Sequence, residues 1–222
     1  MLKKKIKLCF IGNPNVGKST LINRLLGNNE LQISEHPGTT KNIIEKNLIW
    51  KEKEFTLLDT AGVYKKKDFN FSLLTKATKF SEIIILILDS SIDKLDKIHK
   101  KLASYTFRNG KGLIIIFNKW DLIKNKKNKK KELEKLVKNS LPQIDEKNLI
   151  FISALRDEKF TKIFKLSTEI KELLKSKMST SNLNKWLRNI VKHNPPIRIR
   201  GKEIKFKYIV QTDTNPPTFK IF

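Results

Sequence analysis

Cysteine, glycine, acidic residues and long apolar runs are all scarce in this chain, and each shortage excludes something. One cysteine, Cys9, among 222 residues rules out an internal disulfide. Lying inside the apolar run "IKLCFI", it reads as an inert buried thiol in a reducing cytoplasm. No apolar stretch approaches the roughly 18 residues that a membrane-spanning helix needs. There is no lipidation motif either, so no membrane partner is expected. The N-terminus "MLKKKIKLCFIGNP" has a basic start, but its apolar run holds a lysine and lacks a small-residue cleavage site, so it is not expected to act as a secretory leader. Asp and Glu number 22 against 47 Lys and Arg, a net charge of +25. Such an excess suits an anionic macromolecular partner. It is nearly all lysine in a chain also rich in Ile and Asn, so A/T-rich codon usage explains it about equally well. Glycines number only eight. Two of them stand five apart in "GNPNVGKST", directly before Lys18 and Ser19.

What is present describes a globular chain. Hydrophobic residues make up 39% and charged residues 31%, which excludes a disordered polyelectrolyte, and the length allows one or two domains. Residues 6–11, 83–89, 112–117 and 148–153 are short apolar runs rich in β-branched residues, the pattern of strands buried on both faces of a parallel sheet. Helical patterns separate them at about 18–27, 69–82, 93–107, 129–140 and 158–176. Residues 43–50 and 54–59 are expected to form an antiparallel hairpin at the sheet edge. The alternation implies a three-layer α/β fold with right-handed crossovers. The lysine-rich stretch 124–138 reads as a loop and a solvated helix face. Beyond residue 177 the pattern changes to one helix, "STSNLNKWLRNIVKHNPP", then two strands, "EIKFKYIVQT" and "TFKIF". The expected domains are therefore 1–177 and 178–222. The second stops within an apolar strand and reads as truncated.

"GNPNVGKS" satisfies G-x-x-x-x-G-K-[ST], with an expected strand before it and a helix after it. Gly12, Asn13, Pro14, Asn15, Val16 and Gly17 would wrap phosphates with backbone N–H groups at a helix N-terminus. Lys18 would reach the β/γ phosphates and Ser19 would ligate Mg²⁺. "NKWD", comprising Asn118, Lys119, Trp120 and Asp121, ends a strand at the edge where open α/β sheets bind ligands. Asp121 can accept both the N1–H and the 2-amino N–H of guanine, while adenine offers neither donor there. Asn118 and the Lys119 stem would brace the loop and cover the base. Ser153 and Ala154 in "ISAL" would bring a backbone N–H to guanine O6. In "LLDTAGV" (57–63), Asp59 would hold Mg²⁺ through water and Gly62 N–H would bond the γ-phosphate, with Thr60, Ala61 and Val63 completing the loop. "HPGTT" (36–40) offers a threonine to the γ-phosphate and the metal, Thr40 in preference to Thr39. His36 reads as a solvated loop histidine rather than a base. Together these motifs point to GTP and GDP with Mg²⁺.

In this order and spacing, the motifs resemble the translation-factor-like GTPases, and within them the Era-like group. "GNPNVGKSTLINRLLG", "HPGTTK", "LLDTAGVYKK", "NKWDLI" and "FISAL" are similar to the second GTPase domain of the bacterial double-Era GTPases (the Der or EngA family). "MSTSNLNKWLRNIVKHNPP" and the strands after it resemble the start of that family's KH-like domain. The resemblance implies a P-loop GTPase fold, a partial α+β KH-like domain, GTP hydrolysis, and a role in large ribosomal subunit assembly with ribosomal RNA as partner. Departures are visible: there is one GTPase domain where the family has two, the stretches after "DTAGV" and "LILDS" are shorter, and no G-x-x-G clamp stands in 178–222. Val63 occupies the position where Ras-type enzymes place a water-orienting Gln. In the Era-like group a potassium ion often supplies the missing charge, held partly by the phosphate-loop asparagine, here Asn15. The catalytic set implied is then Lys18, Asn15, Thr40 and Gly62. The rival readings are a non-catalytic GTP-gated binding module and a tRNA-modification GTPase of the same superfamily. The sequence carries no signal for an oligomeric state.

Overall fold

The computed structural model describes residues 5–27, 32–34, 44–59, 75, 78–157, 160–197 and 204–222. The chain divides into two compact units, Met1–Lys171 and Glu172–Phe222. The first contains β1 (Ile6–Ile11), α1 (Lys18–Leu26), β2 (Gln32–Ser34), β3 (Ile44–Trp50), β4 (Lys53–Asp59), β5 (Ile83–Asp89), α2 (Lys97–Arg108), β6 (Gly112–Asn118), α3 (Lys126–Ser140), β7 (Leu149–Phe151) and most of α4 (Thr161–Lys175). Its seven strands lie in the order β2-β3-β4-β1-β5-β6-β7. β4, β1, β5, β6 and β7 run parallel. Only β3 opposes its neighbours.

The central strands are buried because both faces are covered. Along β1, Cys9 and Ile11 face one core with Ile84, Leu86, Ile115 and Phe117, capped by Leu102 and Ala103 of α2 and Leu133 and Val137 of α3. On β3 and β4, Trp50 and Phe55 pack with Phe164 of α4, the Trp50 and Phe164 rings stacking at 5.9 Å. Fully burying each such side chain contributes about 1.5–3 kcal/mol. α3 buries only Leu133 and Val137 of its fifteen residues, so its lysines form the solvated face that the sequence suggests. No helix among the described residues is long and apolar enough to cross a membrane.

The second unit holds α5 (Thr180–His193), β8 (Ile209–Thr214) and β9 (Pro217–Ile221). Ser179 caps α5 by accepting from Asn182 N–H. Leu183 and Leu187 pack on Ile209, with Val191 beside them. Here the structure corrects the sequence reading. The alternation in "IRIRGKEIKFKY" (197–208) suggests a strand that turns its apolar residues inward and presents Arg198, Arg200, Lys205 and Lys207 outward, yet β8 starts at Ile209, and Ile204 and Phe206 are exposed. The partner strand β9 spans five residues and sets the ladder length. Below it, only bonds between Lys207, Tyr208 and Phe222 continue the pairing. Lys205 and Lys207 are exposed alongside those apolar residues, while Arg198 and Arg200 lie outside the described residues.

Candidate functional site

The parallel strands all present their carboxyl ends at one edge, and the site is assembled there from four loops. The first follows β1. Gly17 has φ 94° and precedes α1, and a Cβ there would collide with the Asn118 amide nitrogen. A Cβ on Gly12 would collide with Ile87 O. Both positions of the motif thus require glycine for space, and Gly17 also for conformation. Asn15 takes the left-handed conformation at φ 63°, which asparagine tolerates better than most residues. Among the described residues, α1 has no side-chain cap and no acid in its first turn. Its leading N–H groups therefore remain for an external anion.

Lys18 Nζ donates to the carbonyls of Gly12 and Asn13, each at 2.8 Å. The loop therefore curls around the ammonium. Burial lowers the Lys18 pKa, and the nearby Asp59 carboxylate partly offsets this. Asp59, at the end of β4, is buried. Ser19, in the first turn of α1, is exposed. Hydroxyl and carboxylate oxygens of this kind are the hard donors that Mg²⁺ takes. Thr40, with Thr60, Ala61, Gly62 and Val63, lies outside the described residues, as does His36.

Asn118 ends β6 and joins three loops. Its Nδ2 donates to Val16 O at 2.7 Å, and its Oδ1 accepts from Ala154 N–H at 2.8 Å. Its own carbonyl accepts from Ser90 N–H and Ser90 Oγ. Lys119 follows at φ 62°, with Nζ 2.7 Å from Asp89. Burial alone would raise the Asp89 carboxyl, but Lys119 and two bonds from Ser91 outweigh it and hold the group below its ordinary value. Trp120 turns its ring onto Phe151, centroids 4.7 Å apart, and its N–H ties to Ile152 O. The ring is therefore packing, and only the Trp120 backbone belongs to the loop.

Asp121 stands partly exposed with Arg156 Nε 3.3 Å away. A Ser153 side-chain hydrogen bond holds its carboxyl below the usual range, against a smaller desolvation and aided by its own backbone and Arg156. It is charged and ready to accept. Ser153 N–H goes to Asp157 Oδ2 at 2.8 Å, and Ala154 N–H to Asn118, so in this structure both N–H groups expected to serve a base are engaged within the protein. The reason is local: once the Asn118 amide turns to Val16, its oxygen faces the β7 loop. A cavity of about 480 Å³ flanks the phosphate loop, lined by Asn13, Asn15, Asp89, Ser91, His99 and Lys119 among others.

Asp89, Ser90, Arg156 and Asp157 are the residues that sequence reasoning missed. The first two had a readable signal, because "LILDSS" ends a buried strand at this same edge. Arg156 and Asp157 had none beyond nearness to "SAL".

Residues 7–119 match the family model described as 50S ribosome-binding GTPase. Residues 177–222 match the model described as KH-domain-like of EngA bacterial GTPase enzymes, C-terminal. A curated GTPase Der from Caldanaerobacter subterraneus subsp. tengcongensis is 33% identical over 227 residues, covering 99% of this chain and 52% of that protein. The GTPase Der of Rhodopseudomonas palustris (strain HaA2) is 31% identical, covering 99% and 49%. The chain thus spans about half the length of the curated relatives it matches. Among solved structures, Era in complex with MgGDPNP and nucleotides of 16S ribosomal RNA superposes with a TM-score of 0.58 at 22% identity, covering 98% of this chain and 77% of that one. That likeness shows the fold alone.

Proposed function

Since the chain belongs to the 50S ribosome-binding GTPases, with a C-terminal segment of the EngA KH-domain-like kind, we propose that it binds GTP and GDP, hydrolyses GTP to GDP and phosphate, and acts in large ribosomal subunit assembly on ribosomal RNA. Residues 1–177 form the GTPase domain in this reading and residues 178–222 the KH-like part.

The observation that carries the nucleotide reading is the pair of hydrogen bonds made by the Asn118 side chain. One side chain holds the phosphate loop through Val16 and the β7 loop through Ala154, while Asp121 waits three residues on. In this reading a base at Asp121 and phosphates at Gly12–Lys18 would lie on loops that Asn118 ties together. Lys18 shifts from its loop carbonyls to the β/γ oxygens, supplying a point charge where negative charge develops. Ser19 and Asp59, with Thr40, would hold Mg²⁺, which neutralises charge on those oxygens. With valine at position 63, Asn15 would hold a potassium ion that supplies the missing positive charge. Gly62 N–H would bond the γ-phosphate.

The test is base specificity. Asp121→Asn exchanges an acceptor for a donor, which opposes the guanine amine and suits the xanthine carbonyl. GTP affinity should fall about 10²-fold or more, with a gain for XTP. Titration of labelled GTP, ATP and XTP reads this out. Equal wild-type affinity for ATP and GTP would sink the proposal.

A further inference from the structure

α5 buries Leu183 and Leu187, and on the flank of that stripe stands Trp186, 52% exposed, with the exposed Ile190 one turn on. Indole is normally drawn out of water, and a half-exposed tryptophan in mid-helix offers a ring face to a partner. What surrounds it is polar and basic. Asn182, Lys185, Arg188, Asn189 and Lys192 line, with Trp186, a depression of about 680 Å³. α5 contains no Asp or Glu. The volume is that of a site for one organic ring system with its substituents. An acidic peptide would match the cations and leave the indole face unused. A duplex would offer phosphates while keeping its bases stacked on one another. A single strand offers both a free base and flanking phosphates.

We propose that this face of α5 binds a single-stranded stretch of RNA, one base stacking on Trp186 while neighbouring phosphates meet Lys185, Arg188 and Lys192. Asn182 and Asn189 carry donors and acceptors that can reach the edge of the stacked base. The inference rests on the proposed ribosomal RNA partner and names the surface that contacts it.

The experiment titrates the full 222-residue chain with a short labelled single-stranded oligoribonucleotide, and with the same strand annealed to its complement. Trp186→Ala should weaken single-strand binding about tenfold, leave the salt slope unchanged and leave duplex binding as it was. Trp186→Phe, which keeps an aromatic face, should recover most of the loss. Reversing Lys185, Arg188 and Lys192 to Glu should flatten the slope of log affinity against log salt by about 2. Circular dichroism should show α5 intact in every variant, because the altered side chains are exposed. Full affinity in Trp186→Ala, an equal loss on the duplex, or no rescue by Phe would each overturn the proposal. So would an acidic peptide competing as well as RNA does. Co-sedimentation with large ribosomal subunits separates this from the reading beneath it. A wild-type chain that ignores subunits but keeps the Trp186 dependence overturns the ribosomal reading alone.

Discussion

Asn118 has a side-chain donor, a side-chain acceptor and a backbone carbonyl to satisfy, and each finds its partner inside the protein. Removing the side chain leaves Val16 O and Ala154 N–H without those bonds, and an unsatisfied buried group costs about 1–3 kcal/mol. Asn118→Ala should therefore lower stability by about 2–4 kcal/mol in urea denaturation and weaken GTP and GDP by similar factors. An unchanged midpoint would show that both loops find other partners. At this scale the sequence was legible wherever function demands a residue type at a fixed offset. Gly12, Gly17, Lys18, Asn118 and Asp121 all stand at motif spacing. The partners that hold them are another matter. "LILDSS" marks Asp89 as a residue at this edge, but its pairing with Lys119 depends on the sheet setting β5 beside β6, and the bond from Ser153 N–H to Asp157 within one loop carries no motif of its own.

Strands buried on both faces announce themselves, because apolar β-branched runs have few other uses. β1, β5 and β6 fall where the runs are. β2 escaped reading because three residues, Gln-Ile-Ser, make no run. α2 starts at Lys97 rather than near residue 93, since Asp96 and His99 form a capping box there. The start of β8 was misplaced because alternation describes a half-buried strand only when something covers one face. The central position of β1 has a chemical corollary. Cys9 is fully buried between β4 and β5, and burial, with the Asp59 charge adding to it, pushes its thiol far above the ordinary range. Native protein should therefore resist iodoacetamide at pH 8, and labelling should appear only as the sheet unfolds in denaturant. Stoichiometric labelling of folded protein, followed by mass spectrometry, would contradict this burial.

Over the whole molecule, a charge of +25 acts through long-range attraction, and its magnitude was legible at once while its target was not. Lysines from biased codons and lysines selected for phosphate look alike in composition; only their placement beside an aromatic on an acid-free helix separates them. If ribosomal RNA is the partner, affinity for large subunits should fall steeply with salt. It should also be higher with a non-hydrolysable GTP analogue than with GDP. Co-sedimentation across a salt series checks both, and flat binding would leave the charge compositional.

The strand order also bears on how the chain acquires its shape. β1 precedes every strand it pairs with, and those partners lie at residues 55–59 and 83–86. During synthesis Leu8 and Phe10 are therefore made before any of their strand partners, and closing such distant pairs is slow. The phosphate loop waits longer, because Asn118, which shapes it, arrives later still. A nucleotide consequently cannot template the early fold. It can only stabilise the finished sheet by mass action.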